Sequence, residues 1–215
     1  STSNADVEVA RILTKQFDIP HDVISMPKDK LDFERRKNEI NSFSSLEHAW
    51  YLGMGDYMRT HGFNTIYEGI FGDNLSEGPH LNRNTFDAVR KCKFEFFANE
   101  LLPGKTEVLL REFVNPDIME QMTREDAIAR LADEVKRYTD TPNPISNYLF
   151  WNRTRRSIAS CPYSLCDSVE YVYTPYLDRD VYDFLTSLDG DKFFDTAFHE
   201  EVIEHAFPEY STIPY

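Results

Sequence analysis

The chain of 215 residues carries 23 Lys and Arg against 37 Asp and Glu, a net charge of −14, with 41% hydrophobic and 14% aromatic residues. That length and apolar content suffice for a real core and argue against disorder. The charge repels phosphate backbones and anionic lipid, which argues against nucleic acid or a membrane surface as partner. No apolar run approaches the ~18–20 residues of a membrane span. Cys92, Cys161 and Cys166 form an odd, sparse set with no Cys/His pair to complete a zinc site. They read as free thiols of a reducing, cytoplasmic compartment.

Ser1-Thr2-Ser3-Asn4-Ala5 resembles the scar left by removal of an affinity tag and is set apart from the fold. The pattern then begins near Asp6 without an initiator Met, inside a helical repeat, which predicts a piece of a longer protein. Val7, Ala10, Leu13 and Phe17 recur at helical spacing, and Pro20 stops that helix. His21–Met26, β-branched at its centre and bounded by prolines, predicts a strand. Lys28–Ile40 is charged and helical. Ser44 and Glu47 have capping-box spacing and predict a helix that runs to His61 and ends at Gly62. Asn64–Glu68 predicts the second strand, followed by a glycine-punctuated loop over Gly69–Pro79.

Beyond the loop, helices are predicted over 84–101, 107–114, 116–138 (recapped at Thr123), 145–160, 179–187 and 194–206. Thr139–Pro144 is the clearest loop. From residue 157 onward only Arg179 and Lys192 oppose twelve acids, the mark of a solvated helical surface. The order helix–strand–helix–strand predicts a parallel α/β unit. Two parallel strands are too few for a sheet covered on both faces, so further strands are expected upstream of Asp6 or from a partner.

Two segments carry chemistry. A strand that runs into Gly69-Ile70-Phe71-Gly72-Asp73 would set a carboxylate at the carboxyl edge of a parallel sheet, where open α/β folds place ligands. The glycines would let backbone approach a phosphate, and Asp73 would hold Mg²⁺ through oxygen. The same residues also make a good plain turn. The second segment is Thr174-Pro175-Tyr176-Leu177-Asp178-Arg179, in which Asp178 is placed to cap a helix carrying Val181, Phe184 and Leu185 on one face.

In order and spacing these segments resemble the asparagine synthetase family, the carboxylate-amidating branch of the ATP pyrophosphatases. Asp6 and Ala10 match that family's Asp-x-x-x-Ala helix. Gly69–Pro79 resembles its Gly-x-Gly-x-Asp-Glu-Leu-Phe-Gly-Gly-Tyr loop, and Tyr171–Asp178 its Glu-x-Arg-x-Pro-Phe-Leu-Asp segment. The resemblance implies a predominantly helical α/β fold with a partial Rossmann-like, adenine-nucleotide-hydrolase-like parallel sheet wrapped by helices. It implies an incomplete nucleotide-binding part over 6–80 and a helical part of the same domain over 81–215. The implied chemistry is adenylation of a small-molecule carboxylate by Mg-ATP, release of pyrophosphate, and transfer of an amine or ammonia. Gly69, Gly72 and Asp73 would bind the cofactors, with Asp73 on Mg²⁺, and the missing N-terminal part of the chain would complete the site.

The family's Ser-Gly-Gly-x-Asp-Ser phosphate loop and its glutaminase domain are absent from these residues. Its Glu before the motif Asp falls on Ile70, the Glu after it on Asn74, and no lysine stands between Lys136 and Lys192. Arg155 and Arg156, clustered with Arg153, would stand in for the charge of the family's catalytic lysine, although arginine does not readily act as a base. These substitutions keep a second expectation open, a non-catalytic synthetase-like domain that serves as a binding or scaffold module. His199–His205 lacks the spacing of a zinc-protease helix, because Ile203 stands where the second histidine belongs, and reads as an exposed acidic helix. His48 and Trp50 read as packing residues.

Overall fold

The computed structural model describes residues 4–25, 28–102, 104–158 and 160–213. Ser1–Ser3 of the expected tag scar and Met26 of the first expected strand lie outside the described residues. The chain is predominantly helical α/β, and its strands pair as a two-stranded parallel sheet. In order the elements are α1 (Ala5–Gln16), α2 (Lys30–Ile40), α3 (Trp50–His61), β1 (Thr65–Tyr67), α4 (Gly72–Ser76), α5 (Arg83–Arg90) and α6 (Phe94–Leu101). Then come α7 (Gly104–Phe113), α8 (Pro116–Gln121), α9 (Arg124–Lys136), α10 (Pro144–Leu149), a π turn (Phe150–Thr154), α11 (Arg155–Ser157) and α12 (Cys161–Leu165). Last are β2 (Tyr171–Tyr173), α13 (Arg179–Ser187), a 3-10 segment (Gly190–Thr196) and α14 (Ala197–Ala206). Two compact units interleave along the chain: residues 1–68, 157–173 and 199–215 form the first, and 69–156 with 174–198 form the second.

In the first unit, Thr65, Ile66 and Tyr67 pair in parallel with Tyr171, Val172 and Tyr173. The Glu68 amide donates to the Tyr173 carbonyl at 2.8 Å and extends the ladder by one bond. Tyr67 and Tyr173 stack at 5.0 Å on an exposed face, a face that parallel sheets normally cover. The core of this unit joins Tyr51 and Leu52 of α3 to Cys161, Leu165 and Cys166. In the second unit, Phe86, Val89, Phe97, Val135, Ile145, Tyr148, Leu149 and Phe194 form the core.

Local chemistry sets most helix starts. Asn4, Asp29, Asn82, Asn115, Thr123, Asn143 and Asp178 each accept a first-turn amide, and Pro116 and Pro144 occupy the first helical position. Gly62 ends α3 at φ 72°, as its position predicts.

Several expected elements differ. The strand expected at 21–26 is absent over the described residues 21–25, where Val23 and Ile24 are exposed rather than packed. The partner of β1 is instead β2, a segment read only as a motif. Helix α3 begins at Trp50 rather than near Ser44, because Ser44 Oγ pairs with Ser160 Oγ at 3.0 Å and the carbonyls a helix begun there would use are taken by a side chain. Lys37 Nζ donates to the carbonyls of Ser45 and Glu47, and Ser45 Oγ accepts from Asn41. The helix expected over 84–101 breaks where Cys92 takes φ 58°, and that expected over 194–206 breaks at Asp195, φ 57°. The helix expected over 145–160 passes through the π turn, where Asn152 Nδ2 donates to the Tyr148 carbonyl at 3.2 Å. The glycine loop itself contains the single-turn helix α4.

Candidate functional site

The loop after β1 lies in the second unit. Its chain enters α4 through Phe71, which adopts φ 71°, a left-handed conformation that a bulky side chain rarely takes. Such strain, on the order of 1–3 kcal/mol, persists only where surrounding structure enforces it. Here Phe71 is buried and packs on Phe150 at 4.9 Å. Asp73 follows in the first turn, exposed, with its Oδ1 accepting the Asn74 amide at 2.8 Å. Gly78 closes the loop at φ 75°, and its amide donates to the Asp73 carbonyl at 2.6 Å.

The glycines divide in role. Bare space surrounds the position a Cβ would take on Gly69. At Gly72 that position lies 2.6 Å from the ring of Tyr176, so the missing side chain admits an aromatic of the second segment. The two quoted segments thus meet inside one unit, through Gly72 and Tyr176. Asp178 caps α13, accepting the amides of Asp180 at 3.0 Å and Val181 at 3.4 Å.

A cavity of about 300 Å³ opens beside the loop, lined by Asp73, Glu77, Gly78, Pro79, Leu81, Phe193 and Asp195. Three carboxylates and no cation line it among the described residues. That donor set suits a hydrated cation and repels a bare phosphate. Among the described residues no three His, Cys, Asp or Glu side chains are grouped so as to hold a metal ion together, so these carboxylates do not form a chelating cluster. Mg²⁺ rarely uses one; it keeps waters and takes one or two carboxylates together with substrate phosphates. Beside Asp73, the Asn74 side chain is fully buried, and neither its oxygen nor its nitrogen has a hydrogen-bond partner. Each such group costs about 1–3 kcal/mol when left unpaired.

Arg155 and Arg156 stand elsewhere in this unit. The Arg155 guanidinium lies over the Trp151 ring, 5.2 Å from its centroid, and Arg156 is exposed. Arg156 is close enough to Tyr148 to oppose the rise that burial, Glu134 and Tyr138 impose on that phenol. Neither arginine lines the cavity with Asp73. The acidic helix α14 buries no residue. In the first unit His48 sits 6.0 Å from the Trp50 ring and 6.3 Å from Tyr51.

Glu77 and Asp195 complete the cavity's charge and were not singled out by sequence. Glu77 carried a weak signal, as the acid that follows Asp73 within the same glycine loop. Asp195 carried a different one: Asp is among the few residues that tolerate a left-handed backbone and so break a helix. Comparison with protein-family models, curated proteins and solved structures finds no match.

Proposed function

We propose that this chain is the motif-bearing part of an asparagine synthetase-like, ATP-dependent ligase with a partial Rossmann-like sheet. The carboxylate oxygen of a small-molecule acid attacks the α-phosphorus of ATP, and the bond to pyrophosphate breaks. An amine nitrogen then attacks the acyl carbon, AMP leaves, and the nitrogen gives up a proton. The observation that carries this reading is the contact of Gly72 with Tyr176, which joins the glycine loop to the Pro-aromatic-Leu-Asp segment. Support also comes from chain path. Each segment follows directly on one of two paired parallel strands, and so small and exposed a parallel pair suits membership in a larger sheet.

Asp73 would hold the Mg²⁺ that accompanies pyrophosphate, with Glu77 and Asp195 binding its water shell. Bound there, the metal would supply neutralisation of the departing phosphate charge. Gly69, with open space around it, leaves room for the phosphate chain; Gly72 positions Tyr176. The cationic cradle for the triphosphate lies outside these 215 residues in this reading, and Arg155 and Arg156 contribute at longer range.

A non-catalytic scaffold is the second reading, and Ile70 favours it. Where the family places a glutamate, this chain has a core side chain only 4% exposed. The test is ATP–pyrophosphate exchange across a panel of carboxylates, in whatever longer natural polypeptide contains this chain, wild type beside Asp73→Asn. The ligase reading expects exchange that falls at least about tenfold in the variant with an unchanged thermal melt. Absence of exchange from a folded wild type establishes the scaffold, and undiminished exchange in Asp73→Asn makes Asp73 a turn residue.

A further inference from the structure

The second unit has another concavity, away from the carboxylates. A groove of about 300 Å³ is lined by Leu101, Leu102, Leu110, Met119, Met122 and Ala127, with Glu107, Thr123 and Arg124 among them. Its polar members are occupied. Arg124 donates to the Leu102 carbonyl at 2.7 Å, to Asn99 at 2.8 Å and to Glu107 at 3.3 Å, and Arg111 also reaches Glu107. Apolar surface continues outward along α7, where Leu109, Leu110 and Phe113 share one helical face and Phe113 is 83% exposed. Ile118 and Met122 add to it from the next turn, 51% and 57% exposed. Exposed apolar side chains this dense on the helices that wall an apolar groove mark an interaction site.

Charge says what covers it. On the helices that wall the groove, Glu112 of α7, Asp117 and Glu120 of α8 and Glu125 of α9 are exposed and pair with no cation among the described residues. Arg111 and Arg124, the arginines of this stretch, both spend their charge on Glu107. A second copy of the chain would bring this acidic rim against itself, and an anionic lipid headgroup or fatty carboxylate would meet the same repulsion. The groove walls are helices, which offer no open strand edge to an extended peptide. We infer that the α6–α9 groove seats the apolar face of a basic amphipathic helix from another protein. Met119 and Met122 supply an adaptable floor, as thioethers do in grooves that accept varied helices. The acidic rim steers and orients the basic flanks. This inference is independent of the ligase reading.

The probe is a fluorescein-labelled Leu/Lys peptide of about 18 residues with its leucines on one helical face, beside a scrambled peptide of the same composition that has no such face. Anisotropy titrations on the 215-residue chain should give binding at least about tenfold tighter for the amphipathic peptide. Phe113→Ser with Met122→Asp, both at exposed positions, should erase that preference. Glu112→Lys with Glu120→Lys should weaken both peptides and flatten the dependence on salt. Thermal melts and sedimentation accompany each variant. Equal affinity for the two peptides, or a preference that survives Phe113→Ser with Met122→Asp, would reduce the effect to general acidity and overturn the inference. A wild-type dimer that Met122→Asp dissociates would assign the groove to a second copy and overturn it as well. Should the double variant melt early, Phe113→Ser alone, at the most exposed position, carries the same comparison.

Discussion

Gly55 faces the carbonyl of Leu165 so closely that a Cβ on it would stand 2.6 Å from that oxygen and 3.3 Å from the Cα of Cys166. Both obstacles are backbone, so neither can rotate aside. Two residues earlier on α3, a Cβ on Gly53 would meet nothing within 4 Å. The same substitution on one helix should therefore change sign. Gly55→Ala should cost about 2 kcal/mol or more, as overpacking does. Gly53→Ala should gain up to about 1 kcal/mol from helix propensity. Urea unfolding of the two variants checks this, and two equal effects would remove the packing role of Gly55.

Lys37 is wholly buried, and its ammonium holds Glu34 at 2.7 Å and the carbonyls of Ser45 and Glu47 at 3.2 and 3.3 Å. Lys37→Met keeps the apolar stem but takes its donor from the Ser45 carbonyl, leaves the Glu47 carbonyl only the weaker Ser45 Oγ and Cys161 Sγ contacts, and unpairs Glu34. Replacing a whole buried ion pair by apolar groups is often harmless, whereas removing one partner is not. The expected loss is about 2–4 kcal/mol, read from chemical denaturation. A loss below about 0.5 kcal/mol, the scale of an ordinary surface change, would show that the carbonyls find water instead.

That lysine also explains where sequence legibility stops. Thr123 and Asp178 were readable as caps because the groups they bond lie two or three residues away. Ser44 and Glu47 had equally good spacing, yet Lys37 takes the carbonyls of Ser45 and Glu47. A side chain seven residues upstream of Ser44 cannot be seen in a capping pattern. The loop strand at Thr65–Tyr67 was legible from composition, whereas β2 spans only three residues and two of them are exposed. Asp73 was legible beside its glycine. Asp195, 122 positions away in sequence, joins it only through the fold.

The cavity's charge makes a prediction about nucleotide. With Asp73, Glu77 and Asp195 lining it, the 215-residue chain should bind Mg-ATP no tighter than about millimolar, since nothing there meets the phosphates with positive charge. Calorimetry measures this directly. Micromolar affinity would mean that Arg155 and Arg156 or other cations of this chain already form a phosphate cradle.

The thiols give the last prediction, in two linked measurements. Cys92 is exposed, whereas Cys161 and Cys166 are buried. Their sulfurs point to Ser45 Oγ at 3.3 Å and to the Tyr51 carbonyl at 3.9 Å. At neutral pH a thiol reagent should label one cysteine in the native chain and all three after denaturation. Burial, then Glu68, Asp167 and Cys161, push the Cys166 thiol from its ordinary 9.0 up to about 11. The folded state therefore holds a proton that the unfolded chain releases first. The associated stability is complete below pH 9 and is lost as pH rises toward 11, on the order of 2 kcal/mol for this one group. Cys161 and Tyr51 are raised by burial as well and steepen the same alkaline decline. Urea titrations from pH 8 to pH 11 should show that decline, and Cys166→Ala, though less stable at pH 8, should show a shallower one. Parallel slopes for the two proteins would mean that Cys166 titrates alike in both states, and fast native labelling of more than one thiol would show why.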